Sequence, residues 1–222
     1  MCAILGAFSF GEMPHRIVCN FKKALSLTSH RGPDVSTERV FANAILGFNR
    51  LSIVDVNLGS QPLTNENGNV LLVCNGEIYN HRELRKRLKG KHKFSTRSDC
   101  EIIAHLYEES SKDFVSKLKG QFAFCLFDLK KQVVILSRDR FGINPLFYAI
   151  NDENILLVAS EIKSLLNLDP SLSKRLDAEG LKETFFLYGP TPPRTCFENI
   201  NQGTPGHFII FDLKVKSEFS KI

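Results

Sequence analysis

Behind Met1 the chain reads Cys2-Ala3-Ile4-Leu5-Gly6-Ala7-Phe8-Ser9-Phe10, an apolar run without a charge. A continuous run of this kind is the pattern of a strand covered on both faces. It predicts a strand over residues 3–10 that draws the N-terminus into the core. Similar runs recur at 44–48, 70–74, 122–128, 133–137, 146–150 and 155–159. Helical spacing lies between them. Residues 16–27 carry Ile17, Phe21, Ala24 and Leu25 on one face, and 81–89 pair Leu84 with Leu88 ahead of Gly90, a C-cap residue. In 99–108, Ser98 and Glu101 have capping-box spacing, and Ile102, Ile103, Leu106 and Tyr107 form a stripe. Further helices are expected over 161–166 and 177–186. Hairpin-spaced strands between separated helices predict an α+β layered fold with largely antiparallel sheets. Gly189-Pro190-Thr191-Pro192-Pro193 breaks regular structure and predicts an irregular segment after it.

At 222 residues the chain fits one domain, and its 43% hydrophobic and 24% charged residues are those of an ordinary globular protein. Net charge is +5, but the basic residues are scattered. The densest run, from His81 to Lys93, is interleaved with Leu84, Leu88 and Glu83 and reads as the solvated face of a helix. Without aromatic or motif support it argues against nucleic-acid binding. The N-terminus lacks a basic n-region and reaches Glu12 too early for a signal peptide. No stretch approaches the ~18 apolar residues of a membrane span. The six cysteines contain no Cys-x-x-Cys pair that would suggest zinc or a redox couple. Cys74 and Cys125 lie inside apolar runs and are expected in the core. A reducing cytoplasm is the simplest compartment.

Four places can carry chemistry. Methionine before a small residue is normally removed, which leaves Cys2 with a free α-amine. That amine, with a pKa near 7.7–8.0 against about 8.5 for a thiol, is a built-in general base beside the sulfur. The alternative is an incidental cysteine at a disordered terminus, which the buried strand behind it disfavours. Asn75-Gly76-Glu77-Ile78-Tyr79-Asn80 follows a strand. Asn-Gly is a hairpin turn signal; equally, the Asn amide and the glycine N–H offer two adjacent donors for an oxyanion. Arg50, inside Phe48-Asn49-Arg50-Leu51-Ser52-Ile53-Val54-Asp55, suits bidentate capture of a carboxylate, or else a structural ion pair with Asp55 or Asp34. Asp99 fits a helix start on dipole grounds, or a ligand ammonium group.

Together these motifs resemble the class II glutamine amidotransferases, which are N-terminal-nucleophile (Ntn) hydrolases, and most closely their asparagine-synthetase branch. The likeness runs from Cys2 to about Phe211. It includes His30-Arg31-Gly32-Pro33-Asp34, Arg50 to Asp55, Gln61-Pro62-Leu63, Asn75 to Asn80, Ser98-Asp99-Cys100-Glu101 and Gly120-Gln121-Phe122-Ala123-Phe124. Later come Arg138-Asp139-Arg140-Phe141-Gly142 with Pro145-Leu146, and Ala159-Ser160-Glu161-Ile162-Lys163. The resemblance implies a four-layer αββα sandwich over residues 2–212, with 213–222 as a tail.

It further implies that Cys2 attacks the carboxamide of L-glutamine, with Asn75 and Gly76 on the oxyanion and Arg50 on the α-carboxylate. Asp99 and Glu77 would hold the α-amine, and the backbone of Leu51, Ser52, Ile53 and Val54 would line the pocket. It implies no cofactor and no metal for this half-reaction. In two respects the chain departs from the family. Phe48 stands where the family usually has histidine. The Ser-Gly-Gly phosphate loop of a synthetase domain is not found, so the expected acceptor of ammonia is a separate ATP-dependent synthetase partner. The competing reading is a glutamine-binding module without useful turnover.

Overall fold

The computed structural model describes all residues except Val54, Val56–Leu58, Ser111, Lys112, Ser173, Lys174, Lys216 and Ile222, with backbone only for 217–221. In chain order the elements are β1 (Ala3–Ser9), α1 (His15–Ser26), β2 (Val35–Val40), β3 (Ala44–Arg50), β4 (Leu63–Thr64), β5 (Val70–Ile78), α2 (His81–Leu88) and α3 (Glu101–Glu109). There follow β6 (Gly120–Asp128), β7 (Val133–Arg138), β8 (Phe147–Ile150), β9 (Ile155–Ala159), α4 (Ile162–Leu168), α5 (Ala178–Leu187), β10 (Asn201–Gln202), β11 (Phe208–Asp212) and β12 (Ser217–Lys221).

The strands form two six-stranded antiparallel sheets, ordered β10-β8-β9-β1-β3-β2 and β12-β11-β7-β6-β5-β4. Alternation along each central strand decides the layering, because successive side chains point to opposite faces. On β1, Ile4 and Phe8 enter the core between the sheets, while Leu5 and Ala7 pack with Ile17, Phe21 and Leu165 of α1 and α4. On β6, Ala123, Cys125 and Phe127 face the intersheet core, while Phe122, Phe124 and Leu126 face Ile103 and Tyr107 of α3. The result is four layers, α1/α4 over one sheet and α2/α3 over the other, as expected. Phe8 and Phe127 meet edge-on across the intersheet core at 5.2 Å.

Local expectations fail at four points. Glu101 does not close a capping box on Ser98: α3 starts at Glu101, and no side chain caps it. Its carboxylate instead accepts from the N–H groups and hydroxyls of Ser95 and Thr96, while Asp99 is drawn out of the helix by the Ile78 N–H. Gly90 is not a left-handed cap, because α2 ends through Lys89 in right-handed geometry. Asn75-Gly76 is not a hairpin turn; β5 runs through it to Ile78, in register with β6. Finally, the stretch after Pro193 is not wholly irregular, since β10, β11 and β12 extend the sheets there.

Candidate active site

β1 lies between β9 and β3, and at its N-terminal end Cys2 faces the cavity. Two motifs that carry no chemistry of their own hold it there. Arg31 Nε donates to the Cys2 carbonyl at 3.1 Å and Arg31 Nη1 to Glu161 at 3.1 Å. Ser160 Oγ accepts the Ile4 N–H at 2.9 Å. The strand end is therefore fixed by side chains from both neighbouring segments.

A cavity of about 160 Å³ opens beside Cys2, lined by Arg50, Leu51, Ile53, Asn75, Gly76, Glu77 and Asp99 among others. The Cys2 sulfur accepts the Leu51 N–H at 3.3 Å and stands 3.6 Å from the Leu51 carbonyl. Burial pushes the thiol above its ordinary pKa, against the opposing pull of the Leu51 N–H, the terminal amine and Arg50. At rest the sulfur is a protonated thiol and needs a base before it can attack. The Cys2 N–H donates to Asn75 Oδ1 at 2.9 Å, with Met1 still attached and lining the same cavity.

Asn75 is 2% exposed, and its Nδ2 donates to Asn144 Oδ1 at 3.2 Å. Gly76 beside it has φ +154°, and a Cβ there would lie 2.1 Å from the Gln121 carbonyl. Only glycine lets β5 and β6 approach so closely here. At the far end, Asp99 Oδ2 accepts the Ile78 N–H at 2.6 Å, which fixes the carboxylate at the cavity wall. Arg50, 5% exposed at the end of β3, donates to the Asp55 carbonyl at 2.6 Å. Asp34 accepts the Ser52 N–H at 2.7 Å and Asp55 the Arg97 N–H at 2.7 Å. Ser52, expected on the pocket wall, is not among the lining residues, and its N–H is taken by Asp34. Val54 lies outside the described residues.

Sequence reading missed Asn144. It is 2% exposed, lines the cavity, and its Nδ2 is buried with no hydrogen-bond partner among the described residues. Its loop is held by Arg138 Nε on the Asn144 carbonyl at 2.7 Å and by Asp139, which accepts from the Phe122, Phe141 and Ile143 N–H groups. The Arg-Asp-Arg-Phe-Gly motif is thus a cradle for Asn144. Gln61 was also missed. Its amide pairs with both the N–H and the carbonyl of Cys74 at 2.6 and 2.9 Å, bracing the wall behind Asn75. Phe48, 1% exposed, packs in the intersheet core and lines the cavity floor.

Comparison with known proteins identifies the family. The family described as "Glutamine amidotransferase domain" matches residues 1–220. Asparagine synthetase B [glutamine-hydrolyzing] of Escherichia coli is 45% identical over 169 residues, 75% of this chain and 30% of that protein. Asparagine synthetase [glutamine-hydrolyzing] 2 of Bacillus subtilis is 37% identical over 221 residues, 96% of this chain and 29% of that protein. The chain spans under a third of the length of these relatives. Glutamine phosphoribosylpyrophosphate amidotransferase from B. subtilis has the same fold, with TM-score 0.68 at 19% identity over 99% of this chain and 49% of that one. The chain belongs to the class II glutamine amidotransferase domain family, with glutamine-hydrolysing asparagine synthetases among its relatives.

Proposed function

We propose that this chain hydrolyses the side-chain amide of L-glutamine to glutamate and ammonia through a thioester on Cys2. The observation that carries the reading is the convergence of the Cys2 sulfur, the Leu51 N–H and the Asn75 amide on one cavity. With Met1 removed, the Cys2 α-amine takes the thiol proton, and the sulfur attacks the amide carbon. Asn75 Nδ2 and the Gly76 N–H stabilise the oxyanion. The C–N bond breaks as the leaving nitrogen is protonated, ammonia departs, and water cleaves the thioester to glutamate. Arg50 pairs with the α-carboxylate, Asp99 and Glu77 hold the α-ammonium group, and Leu51 and Ile53 line the pocket.

We further propose that the ammonia acceptor is an ATP-dependent synthetase unit; the relatives' names, which join glutamine hydrolysis to a synthetase, support the synthetase part of that reading. An exposed apolar strip at the end of α5, Phe185, Phe186, Leu187 and Tyr188, supports a partner surface. A cytoplasmic setting is supported by six free cysteines. No helix among the described residues is long and apolar enough to cross a membrane.

The second reading, glutamine binding without turnover, draws on Phe48. The two separate in one experiment. Glutamate formation from glutamine, followed in wild type and Cys2→Ala, should fall by several orders of magnitude on substitution. Equal background in both, together with glutamine-induced thermal stabilisation, would instead establish a binding module.

A further inference from the structure

A second cluster of chemistry-bearing side chains lies on the α2/α3 side of the molecule, away from the cavity. Glu66 sits in the turn after β4, His92 in the segment after α2, and His105 and Glu108 one turn apart on α3. Their ligand atoms all lie within 4.8 Å of one another. His92 Nδ1 is 3.0 Å from Glu66 Oε1 and 3.7 Å from Glu108 Oε2. His105 Nδ1 is 3.1 Å from Glu66 Oε2 and 3.7 Å from Glu108 Oε2. Ligands around a tetrahedral ion with bonds of about 2.0–2.1 Å are separated by about 3.3 Å; the His–carboxylate approaches of 3.0–3.7 Å lie around that value, with Glu66 meeting His92 through Oε1 and His105 through Oε2.

His105 adds an independent sign. It is 0% exposed, yet neither ring nitrogen has a hydrogen-bond partner among the described residues. A buried imidazole aimed at two carboxylates without a hydrogen bond is costly unless something else engages it. The surrounding groups supply the outer contacts that orient metal-bound imidazole and carboxylate. His105 Nε2 faces Glu101 Oε1 at 3.7 Å, His92 Nε2 faces Glu109 Oε1 at 3.4 Å, and Glu108 Oε1 accepts from Asn65 Nδ2 at 2.8 Å. Glu66 and Glu108, a quarter exposed, leave an entry path from solvent.

We propose that Glu66, His92, His105 and Glu108 form a structural zinc site. Two imidazole nitrogens and two carboxylate oxygens are a donor set that Zn²⁺ accepts, and four protein ligands close the coordination sphere. The ion fastens the turn after β4 and the segment after α2 to α3. No reading of the catalytic cavity depends on it.

The test uses purified full-length protein, stripped with a chelator and titrated with Zn²⁺. One Zn²⁺ per chain is expected, and Tm should rise by about 5–10 °C at a hundredfold excess over Kd. Co²⁺ in its place should give the visible absorption of a four-coordinate site. The double variant Glu66→Gln/Glu108→Gln keeps shape and surface, and should lose zinc affinity by more than about 100-fold. His92→Ala, which spares the buried His105, should show the same loss. Less than a tenth of an equivalent of zinc in wild type, or equal binding in wild type and variants, overturns the proposal. The second result would move the ion to another site, the cavity cysteines among them.

Discussion

The Cys2 backbone nitrogen donates its hydrogen to Asn75 Oδ1 at 2.9 Å, so the atom expected to act as base and the amide expected to bind the oxyanion are joined. This contact fixes which end of the Asn75 amide remains for substrate. With Oδ1 turned to the N-terminus, Nδ2 is the donor left on the cavity side, and one of its hydrogens goes to Asn144 Oδ1. The proposed nucleophile, base and oxyanion donor are positioned by one chain of hydrogen bonds.

The first prediction concerns that nitrogen. While a residue precedes Cys2, its nitrogen is an amide and cannot take the thiol proton, and the buried thiol stays protonated. A form carrying a two-residue extension before Cys2 should therefore lose at least about 100-fold in glutamine turnover. Glutamine-dependent thermal stabilisation should persist where the extension leaves the pocket open. Intact mass and glutamate release, measured on the same sample, check it. Full activity with an uncleaved N-terminus would remove the amine from the mechanism.

Asn144 gives the second. Its Nδ2 is buried without a partner at the cavity, and its Oδ1 holds Asn75. An oxyanion forming between them would satisfy the orphaned donor. Asn144→Ala should lower kcat by about 100-fold with KM changed by less than about threefold, the pattern of an interaction made only in the transition state. A rise in KM alone would assign Asn144 to ground-state binding.

These two predictions also mark what sequence could and could not supply. The layers were legible because the central strands are buried on both faces, and an apolar run survives any choice of neighbour. β2, Val35–Val40, was not: it is a largely exposed edge strand reading Val-Ser-Thr-Glu-Arg-Val, and shows no apolar signal. Asn75-Gly76 carried a turn signal that tertiary pairing overrode, since β6 holds this stretch in register as a strand. Asn144 was silent because its importance comes from a loop built by Arg138 and Asp139. Likewise Glu66, His92, His105 and Glu108 share a site only once three segments have packed.

The third prediction separates two reasons for keeping glycine. At Gly76 a Cβ would lie 2.1 Å from the Gln121 carbonyl and 2.6 Å from Phe122 Cα, both of them backbone. Gly76→Ala must push β5 from β6, costing about 3 kcal/mol or roughly 6–12 °C in Tm. Gly68 has φ +68° but open space around it, so Gly68→Ala should cost only about 1 kcal/mol. Gly90 has neither constraint, and Gly90→Ala should be neutral or slightly stabilising. Thermal unfolding of the three variants orders them.

The last prediction is a pH dependence. Asp169 closes the end of α4 with its carboxylate at 0% exposure. Burial alone would raise its pKa, but the Asn151 amide, Ser171 and Arg16 outweigh it and hold the group below its ordinary value. A depressed folded-state pKa means the stabilisation is fully present above the unfolded value, near 3.9. It is lost as pH falls through the folded value below that. Asp169→Asn should therefore cost about 1–3 kcal/mol at neutral pH, where the charge-assisted bonds from Arg16 and Ser171 are intact in wild type. The gap should persist down to about pH 5 and close below about pH 4 as wild-type Asp169 takes up its proton. Urea unfolding of both proteins across that range measures it. A gap that widens on acidification would mean that Asp169 is protonated in the folded state and serves as a neutral hydrogen-bonding group.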